Sequence, residues 1–293
     1  MKLTHKISKQ NFYSLLWHAG FLAFAKVFMD VDTIIPAMLV DAGGNAVHIG
    51  ILTAIMLGGA SFTQLVYAPF ISNYHFKKKF LLLGINSRIV SLLGLGLILF
   101  FSSLIDESNI IWMIFILITI FSFGGAFSNV SYIDIFGKSV EQGSRKSFFS
   151  LRQVITGVIL FFAALLAKRT LNLSEYPINY GYMFFIAFGA LLIASFGFWN
   201  IKEVTPSRMA VKSPKHFFHL VKTELKKNQK LKYFLGFINT QGIAISFMPF
   251  IILYAKQNFN AQAADTGSFL ISKVTGVVFI SLWQYTVFSR IRA

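Results

Sequence analysis

The side chains with the most chemical potential in this chain are charges set inside long apolar stretches. Lys26, Asp30 and Asp32 lie in the first such stretch, and Lys273 lies in the last. A lone charge at the centre of a bilayer costs roughly 2.5–3.5 kcal/mol on insertion scales. Such groups must therefore face one another, water or a ligand. At about 100° per residue, Asp30 falls about 40° from Lys26 and Thr33 about 20° to its other side, while Asp32 points about 120° away. Lys26, Asp30 and Thr33 then form one polar stripe, suited to a charged solute or a coupling ion. The alternative is an i,i+4 Lys–Asp pair that neutralises itself within the bundle. Lys273 has no acid within its own turn, which leaves an anionic solute group, Asp30 or Asp32 as its partner. His18, about two turns before Lys26, reads as a packing residue.

Other chemistries lack their residues. Cys is 0, which removes disulfides, thiolate metal sites and cysteine nucleophiles. There is no His/Glu metal-ligand spacing, no Gly-x-Ser-x-Gly elbow and no phosphate-binding Gly-Lys-Ser or Gly-Lys-Thr loop. The expectation is a protein that is not an enzyme, with no metal and no cofactor.

The elements that must position these charges follow from composition. Of 293 residues, 55% are hydrophobic and 13% charged, about half the charge of an ordinary soluble domain. A spanning helix takes about 20 apolar residues. Eight apolar segments run at about 12–40, 46–72, 80–104, 110–136, 148–168, 179–200, 233–256 and 266–289, separated by turn or charge signals such as Asp41-Ala42-Gly43-Gly44-Asn45. They are far longer than the roughly 10-residue alternating strands of a membrane barrel. The fold class is an all-α polytopic membrane protein.

The net charge of +16 would suggest nucleic acid in a soluble protein. Here most of the 27 Lys and Arg fall on one side, counting Arg88 and Arg152 with the loops of that side, while the opposite loops hold only Lys168, Arg169 and Lys256. Basic loops face the cytoplasm. The reading is an integral multi-pass protein of the plasma (inner) membrane with both termini cytoplasmic, no nucleic-acid partner, and a first span that serves as an uncleaved anchor.

The longest loop, 201–232, divides the spans six to two. Ser213-Pro214 is a helix start, followed by Phe217, Leu220, Val221 and Leu225 at helical spacing with Lys222, Lys226 and Lys227 elsewhere on the wheel. That pattern predicts an amphipathic helix on the anionic inner leaflet; a calmodulin-like partner would use a similar face. His216 and His219 read as interfacial side chains.

A weak repeat joins the parts. Pro36 in the first span and Pro249 in the seventh occupy similar contexts, and Gly50 with Gly59 matches Gly267 with Gly276 in spacing. Six spans, a basic loop and a second copy of the first two suggest parallel halves.

In this architecture the chain resembles the major facilitator superfamily. That family's loop between helices 2 and 3 carries glycines, an acid and a basic run. Here the stretch from Pro69 ends in Lys77-Lys78-Lys79, without the glycines and with Asn73 where the acid would be. Asp134 followed by Arg145-Lys146 is similar to the family's acid-then-basic pattern after helix 4. Helix 5 carries Gly157 but no Gly-Pro pair, so the family's usual antiporter signature is absent.

The resemblance implies a major-facilitator-like bundle: a six-helix half at 1–200, a cytoplasmic linker at 201–232, and the first two helices of a second half at 233–293. It also implies four further helices, so the chain reads as truncated after the eighth. The central cavity would be lined by Lys26, Asp30 and Thr33, with Asn129 from helix 4, Asn239 and Gln241 from helix 7 and Lys273 from helix 8. A cytoplasmic gate would use Asn73, Lys77, Lys78, Lys79, Asp134, Arg145 and Arg152; the alternative for the lysines is snorkelling to lipid headgroups. The function implied is secondary transport of a small organic solute by alternating access, with a proton or sodium ion as candidate coupling ion. The competing reading is a non-transporting membrane protein: a receptor, an assembly factor or an inactive remnant.

Overall fold

The first apolar stretch does not fold as one helix. In the computed structural model, which describes residues 3–207 and 214–290, α1 (His5–Phe28) stops and α2 (Ile34–Asp41) begins after a break. Asp30 Oδ1 accepts from the Asp32 amide at 3.0 Å and from the Thr33 hydroxyl at 2.9 Å. A short carboxylate thus takes backbone and side-chain donors in a local turn that competes with the helix. The stripe drawn through Lys26, Asp30 and Thr33 on one continuous wheel is corrected accordingly, because the wheel ends at Phe28.

α1 is also more polar than the other spans. Among the described residues, seven helices are long and apolar enough to cross a membrane, and α1 is not one of them. Ser8, Asn11, Ser14 and His18 are all buried on it. Their partners come from elsewhere in the chain. Asn11 Nδ2 donates to the carbonyls of Ser139 (3.2 Å) and Lys202 (2.9 Å), and Asn200 Nδ2 donates to Ser14 Oγ (3.1 Å). His18 Nδ1 bonds the Ala194 carbonyl at 3.0 Å, and its ring stacks on Phe198. His18 packs, as its sequence position suggests. Satisfied in this way, buried polar groups do not carry the full penalty of lost hydration.

The second span, Ala46–Ser72, contains α3 (Ala46–Thr53), a π-helical stretch (Ala54–Gly59) and α4 (Ala60–Ser72). Asn45 caps α3 by accepting from the amides of Val47 and His48, and His48 Nδ1 accepts from the Asn45 amide in return. The π stretch widens the helix and offsets its carbonyls; one of them, Ile55, accepts from Ser122 Oγ at 2.9 Å.

Four longer helices complete the first six spans: α5 (Lys78–Phe100), α6 (Glu107–Ser139), α7 (Gln142–Leu171) and α8 (Ile178–Asn200). α5 packs on α6 and α8, and α1 lies against α7 and α8. A Cβ on Gly84 would collide with the Gly124 carbonyl and the Ser128 hydroxyl. The α5–α6 crossing therefore requires glycine, as close helix approaches in membranes commonly do.

The linker helix is α9 (Pro214–Lys227); its expected cap, Ser213, lies outside the described residues. α10 (Gln229–Ser246) and α11 (Met248–Phe259) form one apolar length bent at Phe247, just before Pro249, and α12 (Ala263–Arg290) follows. α12 packs along α7 and reaches α2, while α11 packs on α2 and α3. α10 is exposed at nearly every residue. The last two spans thus meet the first six at the end of the bundle that carries Asp41. Toward the end that carries Lys77, α10 stands exposed.

Candidate functional site

Between the helices of the first six spans lies a cavity of about 320 Å³. α1 contributes His18 and Lys26, the π-containing span contributes Met56, Ala60 and Gln64, and α5 contributes Arg88. α6 adds Phe121, Asn129 and Tyr132, and α7 adds Arg152. The cavity wall follows from local structure: Met56 lies in the π stretch and Ala60 at its end, where the helix is widened. Asn129 Nδ2 donates to Gln64 Oε1 at 3.3 Å.

Arg88 and Arg152 are the main surprise. Counted by sequence with the loops of the basic side, both line this cavity instead. Each lies ten residues inside its helix, about 15 Å from the helix start at 1.5 Å per residue. The Arg88 guanidinium sits 4.4 Å from the centre of the Phe121 ring, a cation–π contact. Its Nε is buried with no hydrogen-bond partner. Arg152, expected at the gate, belongs to the cavity.

A second cluster occupies the α1–α2 break. Lys273 Nζ on α12 lies 2.7 Å from Asp30 Oδ2 and also contacts Asp32 Oδ2. Thr33 joins through its bond to Asp30. Of the partners left open for Lys273, the two carboxylates take it. Lys26 pairs with neither of them; among the described residues it forms no ion pair, and it faces the cavity.

A third cluster ties the same two groups of helices at the Asp41 end. Lys256 Nζ on α11 lies 2.7 Å from Asp41 Oδ1 and 2.9 Å from Oδ2. Tyr180 on α8 donates its hydroxyl to Asp41 Oδ2 at 2.9 Å. On α7, Lys168 donates to Ser268 Oγ at 2.9 Å, and a Cβ on Gly267 would crowd the Lys168 side chain.

The opposite, basic end holds the residues expected to gate. Asp134 pairs with Lys77 at 2.9 Å and with Lys138 at 2.8 Å, and accepts from Ser207 Oγ at 2.7 Å. Glu203, after α8, pairs with Lys138 at 2.7 Å and accepts from the amides of Lys77 and Lys78 at 2.7 and 2.8 Å. It thereby caps the start of α5. Every member of this cluster lies in residues 77–207, so it joins helices of the first six spans to one another.

Arg145 does not reach Asp134: its guanidinium donates to the carbonyls of Gly137 and Val140, closing the end of α6. Lys78 Nζ donates to the carbonyls of Trp199 and Ile201, each at 2.7 Å, at the end of α8. Cations suit helix C-termini. Asn73 and Lys79 are exposed. Asn239 and Gln241 are exposed on α10 and join none of these clusters.

Of the residues singled out by sequence, Lys26 and Asn129 line the cavity, Asp30, Thr33 and Lys273 meet at the α1–α2 break, and Lys77 and Asp134 meet at the basic end; Arg88, Gln64, Tyr132, Glu203 and the Asp41–Lys256 pair were not singled out. Arg88 carried the clearest signal, a charge inside the apolar run 80–104.

A family model described as the Major Facilitator Superfamily matches residues 16–293. No curated protein matches the chain.

Proposed function

This chain belongs to the major facilitator superfamily, and from that premise we propose that it is a secondary active transporter of a small organic solute, working by alternating access. The cavity is the solute site, and Lys26, Asn129, Arg88 and Arg152 are its polar contacts. The observation that carries the reading is that, among the described residues, the ion pairs joining the two groups of spans lie at the Asp41 end and at the α1–α2 break, and none lies at the basic end. Lys256–Asp41 and Lys273–Asp30/Asp32 are those pairs, while α10 stands exposed toward the basic end.

By the positive-inside rule the basic end is cytoplasmic, with both termini. The arrangement is then an inward-open one, held by an external latch at Asp41. Residues 1–200 and 233–293 act as two bodies joined by the linker 201–232, whose amphipathic α9 lies on the inner leaflet. The Lys77–Asp134–Lys138–Glu203 cluster keeps the first body rigid while the latch opens. Lys273 faces two carboxylates, so one negative charge in that cluster is uncompensated, and a proton or sodium ion binds there as coupling ion.

The absence of cysteine makes the test clean. Asn129→Cys is expected to react with a membrane-impermeant maleimide in inside-out vesicles and to be protected in right-side-out ones. Adding Lys256→Ala should shift labelling toward the outside. Equal labelling from both sides in the single variant would indicate a channel, and labelling from the outside alone would reverse the orientation. Labelling unchanged by Lys256→Ala would remove the latch.

A further inference from the structure

We propose, building on the transport reading above, that the solute is a small dianion of the carboxylate or phosphate class with an apolar or aromatic body. The cavity is lined by Lys26, Arg88 and Arg152, and no Asp or Glu is among its lining residues. The carboxylates of the first span are held by Lys273, away from it. Three like charges around one low-dielectric space repel one another, and a buried cation without a partner is costly. A bound anion removes both costs.

The geometry specifies more than sign. Arg88 presents a buried Nε with no partner, and its guanidinium is fixed over Phe121, so its donors are oriented before anything binds. Planar guanidinium forks match the paired oxygens of a carboxylate or phosphate. Two forks, Arg88 and Arg152, take two negative charges. Lys26 is exposed to the same cavity and adds a third cation to its wall. Phe121, Tyr132 and Phe198 supply an apolar wall. At about 320 Å³ the space is at the small end of ligand sites, which run roughly 300–1,000 Å³. The phosphate of an anionic lipid offers the same chemistry, so the source must be separated in the test.

The experiment is the thermal unfolding midpoint of the purified full chain in non-ionic detergent at low salt. It is titrated with phenyl phosphate, benzoate, benzyl alcohol and benzylammonium. Phenyl phosphate should raise the midpoint most, benzoate less, and the neutral and cationic probes not at all. Arg152→Gln and Arg88→Gln should each weaken phenyl phosphate binding at least tenfold, with Arg152→Lys intermediate. Should Arg88→Gln fail to fold, the Arg152 pair and the probe ranking still decide. Benzylammonium stabilising as well as phenyl phosphate, or Arg152→Gln binding as the parent does, overturns the proposal. A shift with short-chain phosphatidate but none with phenyl phosphate also overturns it, and assigns the site to a lipid headgroup. Dianion binding without exchange across proteoliposomes would support the anion site while removing the transport reading. Exchange of a cation without dianion binding would do the reverse.

Discussion

Lys273→Met is expected to lower the stability of the purified protein by about 3–5 kcal/mol, the cost of stranding one side of a desolvated ion pair. One ammonium serves two carboxylates here, at 2.7 Å from Asp30 and in contact with Asp32, with side-chain exposures of 24%, 16% and 13%. Without it the two acids face each other at a helix break. Asp30 cannot turn away to water without giving up the bonds it accepts from Asp32 and Thr33. The change should appear as a lower midpoint when monodisperse protein is followed by chromatography across a heating series. The triple variant Lys273→Met, Asp30→Asn, Asp32→Asn should recover most of the loss, because neutral amides need no counter-charge. If the triple variant also regains full solute exchange, the cluster is scaffolding and the coupling role falls. A single variant that melts with the parent would show that the cluster contributes nothing to joining α12 to the first span.

Glu203→Gln is expected to cost about 2–3 kcal/mol, in the range of lost hydrogen bonds to a charged group, and more than Asp134→Asn. Glu203 is 3% exposed against 28% for Asp134. It receives the amides of Lys77 and Lys78 at the start of α5 together with the Lys138 ammonium. Glutamine keeps one acceptor oxygen but not the charge that compensates Lys138. Asp134 itself is nearer to water, so Asp134→Asn removes a more screened charge. Denaturant midpoints of the two variants compare them directly, and the reverse order would mean that Asp134, not the cap of α5, organises this end.

The sequence made the helices legible and hid how they meet. Hydropathy located the third stretch at 80–104 against Lys78–Phe100 in the fold, and the linker helix at Pro214, where α9 begins. Apolar length is a property of the local chain, so a window can read it. The break at Met29–Thr33 was missed because hydropathy counts Asp30 and Asp32 as two polar residues in a long run, not as a competing turn. Arg152 was misplaced because α7 starts at Gln142, several residues before its apolar run. Arg152 itself lies about four residues inside that run, close enough to its edge to be counted with the basic loop. Asp41–Lys256 and Glu203–Lys138 are pairings between distant segments, and no local pattern announces them. Lys273 was partly legible: the lack of an acid in its own turn pointed to a partner elsewhere, and Asp30 and Asp32 were the acids available.

The polar face of α1 sets an order on the protein's biogenesis. The helix is synthesised well before α8, and the groups that satisfy His18 and Asn11 lie 176 and 191 positions further along. At translation rates of about 5–20 residues per second, the first helix waits roughly 10–40 s for them. Ser8 and Asn11 gain partners once residues 139–141 are in place, but Ser14 and His18 lack theirs until α8 is made, and until then α1 is the least firmly inserted part of the chain. Ribosome-bound chains arrested before residue 178 should therefore release α1 to alkaline or urea extraction, while chains arrested well beyond Lys202 should retain it. Equal retention at both lengths would mean that α1 settles without α8.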